Sequence, residues 1–281
     1  MIKTNYHTHS LYCDGKSTLK QMVQSAIEHD IKILGFSGHC MSPFSSSWHI
    51  PVNQIPDYIA EVKALKEKYK DKITILLGFE ADYVKNITAP TRQFYKKFDP
   101  DFLIGSVHFV TVNGQTFGVD DSAESLKENA EKFTNNDYKK ITCEYFYTQR
   151  EMLKKPDFQI IGHPDLIRKN NGPLKMFTEK EDWYLKEIKA TAKAIAKAGV
   201  IAEINTGAIA RKKMDDVYPS LQFLELLNQQ GVPVTFSGDC HNHQDIDCAW
   251  ERALQAALKA GYTELAYLDE QGNTRFQKIY L

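Results

Sequence analysis

Nine histidines are spread along the chain, and most stand where a short apolar run ends. His7 and His9 follow a run over residues 2–6. His39 follows 33–37, Glu80 follows 73–79, His108 follows 102–107, His163 follows 158–161, and Asp239 and His241 follow 232–236. Residues i and i+2 of an extended segment point to the same side. His7 and His9 can therefore hold one ion together, and Asp239 and His241 can serve neighbouring ions. Neutral imidazoles and carboxylates suit Zn²⁺, Fe²⁺ and Mn²⁺. The two oxygens of Glu80 can bridge two ions, and Asp14, in Cys13-Asp14-Gly15, is a further candidate. A lone histidine at a strand end is ordinarily just a polar residue. Donors at corresponding ends of six runs are better explained by one shared metal site. His29 lies near a helix end, where the dipole favours a cation, and His49 and His243 lie in loops. In Asp239-Cys240-His241 alternation turns the thiol away from the flanking pair, so Cys40 and Cys240 are left out of the ligand set.

These donors need a scaffold that brings strand ends together. The six runs above and a seventh, over 200–204, alternate with amphipathic stretches, the mark of βα units around a parallel sheet. Leu19, Met22, Val23, Ala26 and Ile27 follow helical spacing, as do Leu185, Ile188, Ala192 and Ile195. The second helix is expected to begin with Thr178-x-x-Glu181, a capping box in form, and to stop at Gly199. A third helix is expected between Pro219 and Gly231, and a last one from Ile246 to just before Gly261. An eight-stranded barrel typically needs ~250 residues. Seven units in this length predict an α/β fold with a closed or nearly closed seven-stranded barrel, its site at the carboxyl ends of the strands. Residues 121–155 carry no strand signal and are read as a helical insertion, and 273–281 as a short extra strand. No linker or repeat divides the chain, so residues 1–281 are expected to form one domain.

Composition narrows the partners. The 281 residues carry 35 Lys+Arg against 36 Asp+Glu, a formal net charge of −1. That balance offers no field for long nucleic acid. No apolar run reaches the ~20 residues that span a bilayer, and no apolar signal segment follows the N-terminus. Five cysteines, an odd number with no CxxC, fit a reducing compartment. A cytoplasmic protein without a membrane partner is expected.

The order His7-Thr8-His9-Ser10, His39, Glu80, His108, His163 and Asp239-Cys240-His241 resembles the PHP (polymerase and histidinol phosphatase) metallohydrolases over essentially the whole chain. Within that family the chain is similar to the stand-alone histidinol-phosphatase branch. Gly35-Phe36-Ser37-Gly38-His39, residues 104–110, residues 161–168 and Glu203-Ile204-Asn205-Thr206-Gly207 carry the narrower match. Cys40 and Cys240 stand where a small residue is more usual, and residues 41–44 follow the pattern only in part. The resemblance implies a distorted seven-stranded barrel and three divalent ions. The first would take His7, His9, Glu80 and Asp239. The second would take Glu80, His108 and His163, and the third Asp14, His39 and His241. It further implies hydrolysis of L-histidinol phosphate to L-histidinol and phosphate in histidine biosynthesis. The superfamily also contains enzymes acting on nucleotides and on phosphotyrosine proteins.

Charge supports a phosphate ester. Three divalent ions against three carboxylates leave roughly +3 in the site, or about +2 with a bound hydroxide. Such ions lower the pKa of a bridging water from ~15.7 towards ~7, so in-line attack on phosphorus needs no covalent enzyme intermediate. Guanidinium forks match phosphate oxygens. Arg211, beyond the sixth run, and Arg168, after His163, are the candidates to bind the phosphate. Asp239 or a nearby histidine is a candidate to protonate the leaving alkoxide.

Overall fold

The computed structural model describes residues 1–40 and 46–279; residues 41–44 of the partly matching segment and residues 280–281 of the expected last strand lie outside them. Seven parallel strands form the scaffold: β1 (Lys3–Asn5), β2 (Ile31–Phe36), β3 (Thr74–Asp82), β4 (Phe102–Ser106), β5 (Ile160–Ile161), β6 (Ile201–Asn205) and β7 (Val234–Ser237). They pair in that order. Beyond β2 the chain returns to the sheet as His39–Cys40, with His39 opposite Glu80 of β3. Backbone just past β1 and β7 joins the two ends: Cys240 N–H donates to the His7 carbonyl (3.0 Å), and His9 N–H donates to the Cys240 carbonyl (2.8 Å). The segments that carry His7, His9, Asp239 and His241 thus also bridge the two ends of the nearly closed barrel.

Alternation along the strands joins an apolar floor to a polar rim. Tyr6, Ile33, Leu76, Phe102, Ile104, Ile160 and Ile201 form one buried cluster inside the barrel. Continuing at i+2, Ile33 leads to Gly35, Ser37 and His39, while Leu76 leads to Gly78, Glu80 and Asp82. Phe102 and Ile104 lead to Ser106 and His108, and Ile201 to Glu203 and Asn205. The glycines admit the Phe102 ring: a Cβ on Gly78 would lie 2.3 Å from it, and one on Gly35 2.6 Å. A hairpin of Glu264–Leu268 and Thr274–Lys278 covers the floor. Its Leu268 joins the inner cluster, and Leu268 N–H donates to the Tyr6 hydroxyl at 2.8 Å.

Helices pack outside, against a separate apolar layer. Leu19–Glu28 starts at a capping box between Thr18 and Gln21. The helix expected from Thr178 begins later, at Asp182–Ala198, with Glu181 at its N-cap. The Glu181 carboxylate instead accepts from the Thr178 N–H (3.0 Å). The last helix likewise starts late, as Trp250–Lys259, because Ala249 takes a left-handed conformation (φ 57°). Within 121–155 lie Ala123–Thr134 and Tyr138–Met152. Ahead of them is a hairpin, Phe109–Val112 with Gln115–Gly118, that turns at Asn113-Gly114. Asn-Gly is a strong local hairpin signal, and it was available in the sequence.

Candidate metal centre

All nine candidate ligands converge at the carboxyl end of the barrel. His7 Nε2 lies 3.0 Å from Glu80 Oε2, and His39 Nδ1 lies 2.9 Å from the same oxygen. His163 Nε2 (2.9 Å) and His108 Nε2 (3.3 Å) face Glu80 Oε1. His9 Nε2 lies 3.3 Å from Asp239 Oδ1, and His241 Nε2 3.0 Å from Asp14 Oδ2. Donor atoms fall within 4.8 Å of one another in four groups: His9, Asp14, His39 and His241; His7, His9 and Asp239; His7, Glu80 and His163; and His39, Glu80 and His108. The groups overlap, and Glu80 belongs to two of them.

These residues fit metal ions on an observation of their own. His7 Nε2, His9 Nε2, His39 Nδ1, Asp14 Oδ1 and Glu80 Oε2 are buried and make no hydrogen bond. An unsatisfied buried polar atom costs about 1–3 kcal/mol, and five of them around one point would be expensive without a cation to share. Buried His/Asp/Glu clusters of this kind suit a site for more than one metal ion.

Partners behind the donors set their orientation. Glu203, on β6, accepts from His7 Nδ1–H at 2.8 Å, so Nε2 presents its lone pair to the cluster. Asp82 accepts from His108 Nδ1–H (2.6 Å) through one oxygen and from His49 Nε2–H (2.8 Å) through the other. Neither carboxylate was among the expected site residues. Both were legible by the i+2 rule, as Glu80-Ala81-Asp82 and as Glu203 two residues beyond the floor residue Ile201.

Charge and burial oppose each other here. Burial would raise the Glu80 carboxyl, but His7, His39 and His108 hold it well below the ordinary value. Burial likewise opposes Arg211 at Asp239, and the guanidinium prevails. His9 is pushed down to about 3 by burial and by His241 and His39, and stays neutral. Burial would lower His108, but Asp82 and Glu80 outweigh it and draw positive charge to the ring; an ion on Nε2 would take the place of the second proton.

A cavity of about 280 Å³ opens over the cluster. Arg211 is in its wall. One Nη donates to the Asp239 carbonyl (2.7 Å) and meets His241 Nδ1 (2.9 Å), and the other donates to Asp239 Oδ2 (2.9 Å). Arg168 is not in the wall, contrary to expectation. Its guanidinium is buried on Glu179 (2.9 Å), Asp216 (2.6 Å) and the Val217 carbonyl (3.0 Å). Arg168 and Lys169 lie in the 3₁₀ turn Leu166–Asn170, where successive side chains point ~120° apart. Lys169 therefore faces the cavity and pairs with Asp120 (3.4 Å). Trp48 also lines the cavity. His29 caps its own helix on the Ser25 carbonyl (2.9 Å), and His243 bonds Ser17 (2.9 Å), both apart from the cluster. Cys240 turns to Asn5 (3.3 Å) and to the Asp245 carbonyl (3.2 Å), away from the donors.

Residues 5–207 match the PHP domain. The chain belongs to the PHP domain family. Its fold is that family's, an α/β barrel, nearly closed, of seven parallel strands. The structure of histidinol phosphate phosphatase from Lactococcus lactis, complexed with Zn, L-histidinol and phosphate, superposes with a TM-score of 0.69 at 20% identity, covering 98% of this chain and 99% of that one. This PHP chain is 27% identical to "Probable histidinol-phosphatase" of Schizosaccharomyces pombe, over 94% of its own length and 89% of the relative's. It is 23% identical to histidinol-phosphatase of Bacillus subtilis, over 91% and 99%. Among the described residues no helix is long and apolar enough to cross a membrane.

Proposed function

We propose that this PHP phosphoesterase hydrolyses L-histidinol phosphate to L-histidinol and phosphate at a centre of three divalent ions. The observation that carries the reading is Glu80: both of its oxygens face imidazole nitrogens, and Oε2 is buried among donors with no hydrogen bond. The relatives named above support the substrate. His7, His9, Glu80 and Asp239 would hold one ion, Glu80, His108 and His163 a second, and Asp14, His39 and His241 the third. Zn, Fe and Mn all suit this donor set.

Ions held there would supply positive charge for the phosphate oxygens and a water acidic enough to ionise near neutral pH. The protein supplies direction. Glu203 and Asp82 fix the tautomers of His7 and His108. Arg211 keeps Asp239 anionic and has two N–H groups left, of the five in a guanidinium, for a phosphate oxygen. Elemental analysis of protein purified without chelators should return about three transition-metal ions per chain. Phosphate release from L-histidinol phosphate should exceed that from nucleotides and phosphotyrosine peptides. Metal-free protein, or preference for a phosphodiester, would refute the proposal.

A further inference from the structure

The segment from Ser46 to Ile50 is tied to the ligand cluster at two points. Ile50 N–H donates to the His39 carbonyl at 2.9 Å. His49 reaches His108 through Asp82, one carboxylate oxygen to each ring. Asp82 is 1% exposed and His49 5%, and His49 Nδ1 lies 2.8 Å from Ser46 Oγ. A buried polar chain satisfied at every member fixes the geometry of what it joins. Trp48 stands between the two ties. Its ring lies edge-on to His39 (4.6 Å, 83°) and to His108 (5.5 Å, 78°), and tilts over His49 at 3.9 Å. Among the described residues that line the cavity, only Trp48 and Leu166 are apolar. A phosphate ester seated on the metal ligands must lay its organic part against the remaining wall, and Trp48 is the part of that wall held in register with two ligands.

We propose that Trp48 is the specificity-determining residue of the site, packing against a planar ring at the end of the substrate away from phosphate. His49 is its positioning residue, acting through Asp82. The inference rests on the phosphomonoesterase reading, and the test separates the two. Three esters are compared on the metal-loaded full chain: L-histidinol phosphate, 2-phenylethyl phosphate, which has a ring but neither imidazole nor ammonium, and glycerol 3-phosphate, which has no ring. Preference is read as kcat/KM and, independently of turnover, as Kd by calorimetry. Trp48→Leu should lower the preference for 2-phenylethyl over glycerol 3-phosphate about tenfold, while Trp48→Phe stays within about threefold of the parent. His49→Ala should lower the same ratio, and the double variant should fall no further than Trp48→Leu alone. An unchanged ratio in Trp48→Leu, an equal fall in Trp48→Phe, loss of metal from Trp48→Leu or failure of the parent to bind either ring-bearing ester overturns the proposal. Additive effects in the double variant overturn the positioning role. If L-histidinol phosphate is not hydrolysed but the ratio responds as stated, the substrate reading falls and the role of Trp48 stands.

Discussion

His7 and His108 each present one nitrogen to the cluster because a carboxylate holds the other. Such outer partners commonly contribute 10–100-fold in metal affinity. Glu203→Gln and Asp82→Asn should each weaken metal binding by about that factor, measured by equilibrium dialysis with elemental analysis; parent-like affinity in both would show that the rings are oriented by other contacts. Arg211 touches two proposed ligands as well as the cavity. A charge-assisted hydrogen bond is worth about 1.5–3 kcal/mol, or roughly 10–100-fold. Arg211→Ala should lower kcat/KM by about that range and keep its metal, whereas loss of metal would assign the side chain to bracing Asp239 and His241 alone. Arg168 belongs to a different class. It neutralises the fully buried Asp165, at 3.6 Å, whose carboxyl burial nonetheless lifts to about 7. Removing one member of a buried pair typically costs ~3–5 kcal/mol. Arg168→Met should therefore shift the denaturant midpoint downward while KM of the folded enzyme stays at the parent value.

Strands deliver the site through a period of two. β2, β3 and β4 each run from apolar floor residues to polar groups at the carboxyl end without a break in phase. Packing of the floor requires space at two positions, and Gly35 and Gly78 leave it for Phe102. Gly78→Ala puts a Cβ 2.3 Å from that ring, and overpacking of this kind costs about 1–3 kcal/mol. Chemical denaturation should register that loss; full stability would mean that the ring has room to shift. Where phase does break, the backbone carries the change. Asp239 adopts φ 47° and His163 φ 22°, values that non-glycine residues seldom take. These turns sit at proposed ligands, where such strain is commonly found. The helices begin at Asp182 and Trp250 rather than at Thr178 and Ile246, because Thr178 and Glu181 close a turn ahead of the first and Ala249 takes a left-handed conformation ahead of the second.

The nearly closed barrel makes ligand binding and stability one problem. Chain ends more than 230 residues apart meet at His7, His9 and Cys240, and the cluster presses buried carboxylates and imidazoles together on top of that seam. Ions that bind only the folded chain stabilise it by about 2.7 kcal/mol per site at a hundredfold excess over Kd. Chelation should therefore lower Tm reversibly, with recovery on adding back Zn²⁺ or Mn²⁺; an unchanged Tm would mean that no ion binds the folded chain in preference to the unfolded one. What could be read from the chain alone was local chemistry: which donors stand at strand ends, that seven runs alternate with helices, and that charge is balanced. Those features are set by residue type and short-range period. The tertiary structure alone decided that Glu203 meets His7, that Asp82 joins His49 to His108, and that Lys169 rather than Arg168 faces the cavity. Each of these depends on register between strands or on the phase of a 3₁₀ turn, and both are settled by packing between residues distant in sequence.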